Sequence, residues 1–214
     1  MPAFLSDAAS VPLAADRPLL IVDADEVMLL FVDGFDKFLA AHDCYFEFAS
    51  YALFGNVRRR SDGTTLPDSD VTQLLDVFRD AFDSLAAVEG AQEAITELQP
   101  LLDVVVLSNM TPSQAAPRLR NFDTLGLALP LVINTGPKGP AVKALAARAG
   151  RPVFFVDDIP HHLASVAAEA PEVFRIHLIG DKRLRALLPL SPHGHLRAET
   201  WSDAVSFIRA RLPQ

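Results

Sequence analysis

Hydrophobic and polar positions along this chain follow two periods. Unbroken apolar runs stand at Leu19-Leu20-Ile21-Val22, Val104-Val105-Val106-Leu107 and Val153-Phe154-Phe155-Val156. Runs this short, rich in branched and aromatic side chains, predict strands buried on both faces, where alternation is not needed. Apolar stretches at 129–133 and 173–179 predict two more strands. Between them the spacing turns helical. Leu30, Phe31, Phe35, Phe38 and Leu39 mark a helix over 28–41, interrupted only by Gly34. Val71, Leu74, Leu75, Phe78 and Phe82 mark another over 71–85, with Asp68, Ser69 and Asp70 as N-cap candidates. Further helices are predicted at 91–98, around Ala115, Leu119 and Phe122, at 141–149, around Leu163, Val166 and Ala167, and at 201–212. Two stretches follow neither period. Residues 1–17 read as a loosely attached arm. Residues 43–67 crowd Tyr45, Phe46, Phe48, Tyr51 and Phe54 together, then break at Gly55-Asn56 and Ser61-Asp62-Gly63.

Strands alternating with helices predict an α/β fold, a doubly wound (Rossmann-like) parallel sheet flanked by helices. Its core comprises 1–30 and 89–214, and 31–88 form a small, mostly helical insertion after the first strand. At 214 residues, half of them hydrophobic, the chain can bury a full core. A net charge of −8 argues against a nucleic-acid partner, because phosphate backbones are held by clustered Lys and Arg. Arg58-Arg59-Arg60 is the one basic run. The single cysteine, Cys44, excludes an internal disulfide and a cysteine-based zinc cluster, and reads as a small core hydrophobe. No apolar run reaches the length that spans a bilayer, and residues 1–18 lack the pattern of a signal peptide. The expectation is a cytoplasmic protein with no membrane partner. Nothing in the pattern sets an oligomeric state.

Polar residues enter the picture where the strands stop. Three apolar strands end in Asp23 and Asp25, in Ser108 and Asn109, and in Asp157 and Asp158. In open α/β sheets ligands bind at these carboxyl ends, where diverging loops leave a crevice. Lys138 adds a cation at a glycine-rich helix start, Gly136-Pro137-Lys138-Gly139-Pro140. Carboxylates for a divalent cation, a hydroxyl and amides for phosphate oxygens, and a lysine to balance both are what phosphoryl chemistry needs. Each has a plainer reading: an acidic turn for Asp23 and Asp25, helix caps for Ser108 and the Asp157-Asp158 pair, a turn lysine for Lys138.

In this order the motifs resemble the haloacid dehalogenase-like (HAD) hydrolase superfamily, and the resemblance covers nearly the whole chain. Asp23-Ala24-Asp25-Glu26-Val27 is similar to its first motif, Ser108 to its second, Lys138 to its third and Asp157-Asp158 to its fourth. The insertion at 31–88 looks like the helical cap of a phosphatase-type member. The resemblance implies a magnesium-dependent phosphatase of a small phosphorylated metabolite, working through an aspartyl-phosphate. Asp23 would be the nucleophile and Asp25 the general acid and then base. Ser108, Asn109 and Lys138 would bind the phosphoryl group. Magnesium (Mg2+) would be held by Asp23, by the backbone carbonyl of Asp25, and by the pair, with Asp158 the direct ligand and Asp157 direct or water-mediated. Lys143 competes with Lys138 for the lysine role, and Lys138 is favoured because it sits at the helix mouth.

Departures from the family pattern are Glu26, where many relatives carry glycine or asparagine, and Ile159 and His162, at positions more often small or polar. Asp25 disfavours metal-independent dehalogenation, since relatives with that chemistry lack the second aspartate. A second metal site at His161-His162 or His193-Gly194-His195 lacks supporting ligand spacing. Arg58–Arg60 could grip an anionic group of the substrate, although a solvated charge run is the simpler reading, and the aromatic cluster reads as the insertion's own core ahead of a pocket wall. The alternatives are a signalling receiver domain, disfavoured by motif order and length, a non-catalytic binding module, and a phosphomutase or phosphotransferase.

Overall fold

The computed structural model describes residues 4, 5 and 8–213. A seven-stranded sheet forms its centre. In chain order the strands are β1 (Phe4–Leu5), β2 (Leu19–Val22), β5 (Asp103–Asn109), β6 (Leu131–Asn134), β7 (Val153–Asp157), β8 (Phe174–Leu178) and β9 (Leu196–Ala198). They lie in the order β1-β6-β5-β2-β7-β8-β9, and every neighbouring pair is parallel. The fold is the α/β, Rossmann-like sheet expected from the apolar runs.

β2 is central because all four of its residues are fully buried. Leu20 and Val22 pack into one hydrophobic layer and Leu19 and Ile21 into the other. At about 1.5–3 kcal/mol for each large apolar side chain withdrawn from water, this strand alone contributes roughly 6–12 kcal/mol of burial. The first layer is covered by α3 (Ala91–Leu98) and α8 (Trp201–Arg209), and also receives Ala115 and Phe122 of α4 (Ala115–Thr124). The second is covered by α5 (Gly139–Ala146) and α6 (Pro160–Glu169). A short α7 (Lys182–Arg185) follows β8.

Residues 31–88 contain α1 (Phe31–Ala40), a hairpin of β3 (Cys44–Phe46) and β4 (Val57–Arg59), α2 (Asp68–Phe78) and a 3-10 turn, Arg79–Ser84. Edge-on aromatic contacts join Phe31, Phe78 and Phe82, with ring centroids 5.5–5.8 Å apart. Gly34 does not break α1. It is the point of closest approach, where a Cβ would stand 2.4 Å from Leu85 Cδ2.

Several expectations change. The ambiguous stretch 43–67 holds an antiparallel hairpin, whose three paired positions are too few to set up a period. Asp68 and Asp70 lie in the first turn of α2, where they favour the helix dipole, and Pro67 takes the N-cap position. The described part of the expected arm is packed. Phe4–Leu5 adds an edge strand, Val11 is fully buried, and the Arg148 guanidinium donates to the Ala8 and Val11 carbonyls at 2.9 and 2.7 Å. Residues 1–3, 6 and 7 of that arm lie outside the described residues. No described helix is long and apolar enough to cross a membrane.

Candidate active site

The register of the sheet brings the strand ends together. Val22 pairs with Val106 and Val156, so the residue after it, Asp23, stands beside Asp157, while Ser108 lies across on β5. The Asp23 amide donates to the Val156 carbonyl at 3.0 Å, which carries the ladder one residue past β2. Lys138 reaches in from the start of α5. Gly139 permits this, because a Cβ there would lie 2.4 Å from the Ser165 carbonyl oxygen of α6, and its own amide donates to Ser165 Oγ at 3.0 Å.

Lys138 Nζ sits 2.7 Å from Asp23 Oδ1 and 2.8 Å from Asp157 Oδ2, with only 1% of the residue exposed. Burial alone would depress the ammonium, but the Asp157 and Asp23 carboxylates outweigh it and its pKa rises. The Ala24 amide donates to the same Asp23 Oδ1 at 2.7 Å, and the Ile159 amide to Asp157 Oδ1 at 2.8 Å. Asp158 turns to the insertion, accepting the Tyr51 hydroxyl on Oδ2, while its buried Oδ1 has no hydrogen-bond partner. His177 Nε2 donates to the Asp158 carbonyl at 2.9 Å and steadies the pair from β8. Burial, then repulsion from Asp157 and Asp23, push the Asp158 carboxyl well above its usual range; burial also raises Asp157, against the pull of Lys138.

Oxygens of Asp23, Asp157 and Asp158 lie within 4.8 Å of one another. Three hard carboxylate donors, one with an orphaned buried oxygen, fit a divalent cation such as magnesium. Asp25 is not one of these three and forms a charge pair. Arg118 Nη2, on α4, donates to its Oδ1 at 2.6 Å, and the fully buried guanidinium lies over the Phe82 ring at 4.6 Å. Burial raises the Asp25 carboxyl and Arg118 opposes it.

The loop after β2 is held by Glu26, whose φ of 58° puts a non-glycine residue in the left-handed region. Its carboxylate accepts the Val32 amide at 2.8 Å and the Asp181 amide at 3.3 Å, and its carbonyl accepts the Gly180 amide at 2.5 Å. Burial pushes its pKa up to about 7.

Asp23, Asp25, Ser108, Asn109, Lys138 and Asp158 all line one cavity of about 270 Å³. Asp157 lies behind it, fully buried. The Asn109 amide donates to the Gly136 carbonyl at 3.0 Å. Lys143 is elsewhere, exposed and paired with Glu169 at 3.1 Å. Of the aromatic cluster, Tyr51 reaches the cavity, Phe46 is buried in the core and Phe54 is exposed. The arginine run stays within the insertion. Arg58 pairs with Glu47, Arg59 with Asp70 at 3.6 Å, and Arg60 Nε donates to the Cys44 carbonyl at 3.0 Å. His162 lines the cavity with its pKa lowered to about 3, by burial first and then by Lys138, so it is a neutral imidazole. His193 and His195 bond with Arg175 near the β8–β9 edge.

Arg118 is the main residue that motif reading passed over. The available signal was its spacing, three residues after Ala115 and four before Phe122, on the face that α4 buries. Tyr51 gave no such signal, since it stands in an irregular loop.

The sheet order, the crossing helices and the insertion after β2 define a haloacid dehalogenase-like fold. Among solved structures, the chain is similar to a conserved haloacid dehalogenase-like protein of unknown function from Agrobacterium tumefaciens, with TM-score 0.63 and 14% identity over 91% of this chain and 98% of that one. It is similar to a HAD family hydrolase from Deinococcus radiodurans with bound phosphate and sodium, with TM-score 0.59 and 17% identity over 94% and 100% of the two chains. A third is a putative HAD-hydrolase from Bacillus subtilis bound to magnesium, with TM-score 0.60 and 12% identity over 91% and 99%. No family model and no curated protein matches the sequence.

Proposed function

We propose that this protein is a magnesium-dependent phosphatase of a small phosphorylated metabolite, with residues 31–88 as a cap over the cavity. The observation that carries this reading is the Asp23 carboxylate, seated at the end of the central strand and held on one oxygen by Lys138 and the Ala24 amide. Oδ2 is then the nucleophile. It attacks phosphorus, the bond to the leaving oxygen breaks, and Asp25 delivers the proton that oxygen needs. Water then attacks the aspartyl-phosphate, Asp25 takes its proton, and inorganic phosphate leaves as the Asp23 carboxylate re-forms. Ser108 and the amides after it bond the phosphoryl oxygens, and Lys138 offsets their charge. Magnesium held by Asp23, Asp158, the Asp25 carbonyl and, directly or through water, Asp157 would relieve repulsion between carboxylate and phosphate. The phosphate in the Deinococcus structure and the magnesium in the Bacillus one support this reading by analogy.

The test is phosphate release from a broad panel of phosphomonoesters with and without magnesium. Turnover that needs the metal is expected. A folded, magnesium-supplied protein that releases nothing across the panel overturns the proposal in favour of a binding module.

A further inference from the structure

The walls of the cavity say what kind of alcohol the phosphate is attached to. On the insertion side they are Phe31, Val32 and Leu53, with Ile159 opposite, all apolar. Most of the polar groups present are already engaged; Ser108, which the proposed function gives to the phosphoryl group, and His162, whose buried Nδ1 has no hydrogen-bond partner, are the exceptions. The Tyr51 hydroxyl is given to Asp158, the Asn109 amide to the Gly136 carbonyl, and the Glu26 carboxylate to the Val32 and Asp181 amides. Among the described residues lining the cavity, Lys138 is the only lysine or arginine, and it is bound by Asp23 and Asp157. Four carboxyl side chains line the same space; Asp23 and Asp158 are the ones the proposed function gives to the metal, which leaves Asp25 and Glu26 facing the rest of the substrate. A second anionic group on the substrate would meet no counter-ion there, and a polyol would lose its water for few free partners. At about 270 Å³ the cavity is also at or below the lower end of small-molecule sites, roughly 300–1,000 Å³.

We infer that the substrate is the phosphate monoester of a short, uncharged, apolar alcohol, packed against Phe31, Val32 and Leu53. This rests on the phosphatase reading above. Selectivity then comes from what the walls withhold, because a site with no counter-ion for a second anionic group and few partners for added hydroxyls rejects such groups by leaving them unpaired.

The experiment compares kcat/KM for n-butyl phosphate and phenyl phosphate with that for glycerol 1-phosphate, 2-phosphoglycolate and glucose 6-phosphate, in magnesium, using the full chain. The first two are expected to exceed the other three by roughly a hundredfold. Leu53→Arg, which places a cation on the apolar wall, is expected to raise the ratio for 2-phosphoglycolate over n-butyl phosphate by roughly tenfold or more. Turnover that favours 2-phosphoglycolate, glycerol 1-phosphate or glucose 6-phosphate overturns the substrate class and leaves the phosphatase standing. No turnover of n-butyl or phenyl phosphate by a protein that does release phosphate from other members of the broad panel overturns the substrate class alone, and no release across that whole panel overturns the phosphatase reading with it.

Discussion

Replacing Lys138 with methionine tests the electrostatic centre of the site. The substitution keeps the approximate volume of the side chain and removes its charge. Lys138 Nζ lies within 2.8 Å of two carboxylates, and Asp157 is fully buried. After the change Asp157 keeps the Ile159 amide as a donor but has no cation, while Asp23 and Asp158 remain within 4.8 Å. Removing one partner of a buried ion pair costs about 3–5 kcal/mol, because the other charge stays buried without compensation. That is a large share of the roughly 5–15 kcal/mol that stabilises an ordinary domain. The sign with pH follows from Asp157. Burial raises its folded-state pKa above the unfolded value, and Lys138 is the group that opposes this. Without the lysine the folded state holds that proton more tightly, so Lys138→Met loses little below the unfolded pKa of Asp and progressively more as pH rises through the raised value. Urea unfolding in EDTA, followed by circular dichroism at pH 5 and pH 8, reads this out. Lys138→Met with Asp157→Asn should be more stable at pH 8 than Lys138→Met alone. A deficit under about 1 kcal/mol at pH 8, or one equal at both pH values, would refute the reasoning.

Glu26→Gln tests the loop after β2. Glu26 is raised from 4.5 to about 7 by burial, so its ionisation costs the native state about 3 kcal/mol as pH rises from 4.5 through 7. The variant escapes that cost and should gain on the wild type in urea unfolding between pH 5 and pH 8; an unchanged difference contradicts the shift. Arg118→Met removes the partner of Asp25 and the stacking on Phe82. It should lower kcat for an alkyl phosphate at least roughly tenfold, less for nitrophenyl phosphate, whose leaving group needs little proton donation, with partial recovery in Arg118→Lys. Equal losses on both substrates would place Arg118 in structure alone.

The longer strands of the sheet were legible in the chain because burial on both faces leaves unbroken apolar runs, as at Leu19–Val22 and Val153–Val156. Asp23, Ser108, Lys138 and Asp158 were legible as neighbours for a related reason. Parallel strands align their carboxyl ends, so polar residues that follow separate runs meet in one crevice. Contacts that depend on how layers close were not legible. Arg118 pairs with a residue 93 positions away and Tyr51 with one 107 positions away. Strand β9, three residues long, is held by pairing with β8 alone, and the turns before β2 are held by Arg148 and Asp103. In each case the partner, not a local period, defines the structure.

The central claim is that Asp23 takes the phosphoryl group. The most direct measurement is a single turnover with magnesium and phenyl phosphate, quenched in acid within milliseconds and mapped by peptide mass spectrometry. A phosphorylated peptide containing Asp23, absent from Asp23→Asn, is the predicted result. Phosphate release with no phosphorylated Asp23 at any quench time, or a phosphoryl group carried by another carboxylate such as Asp25, would contradict it.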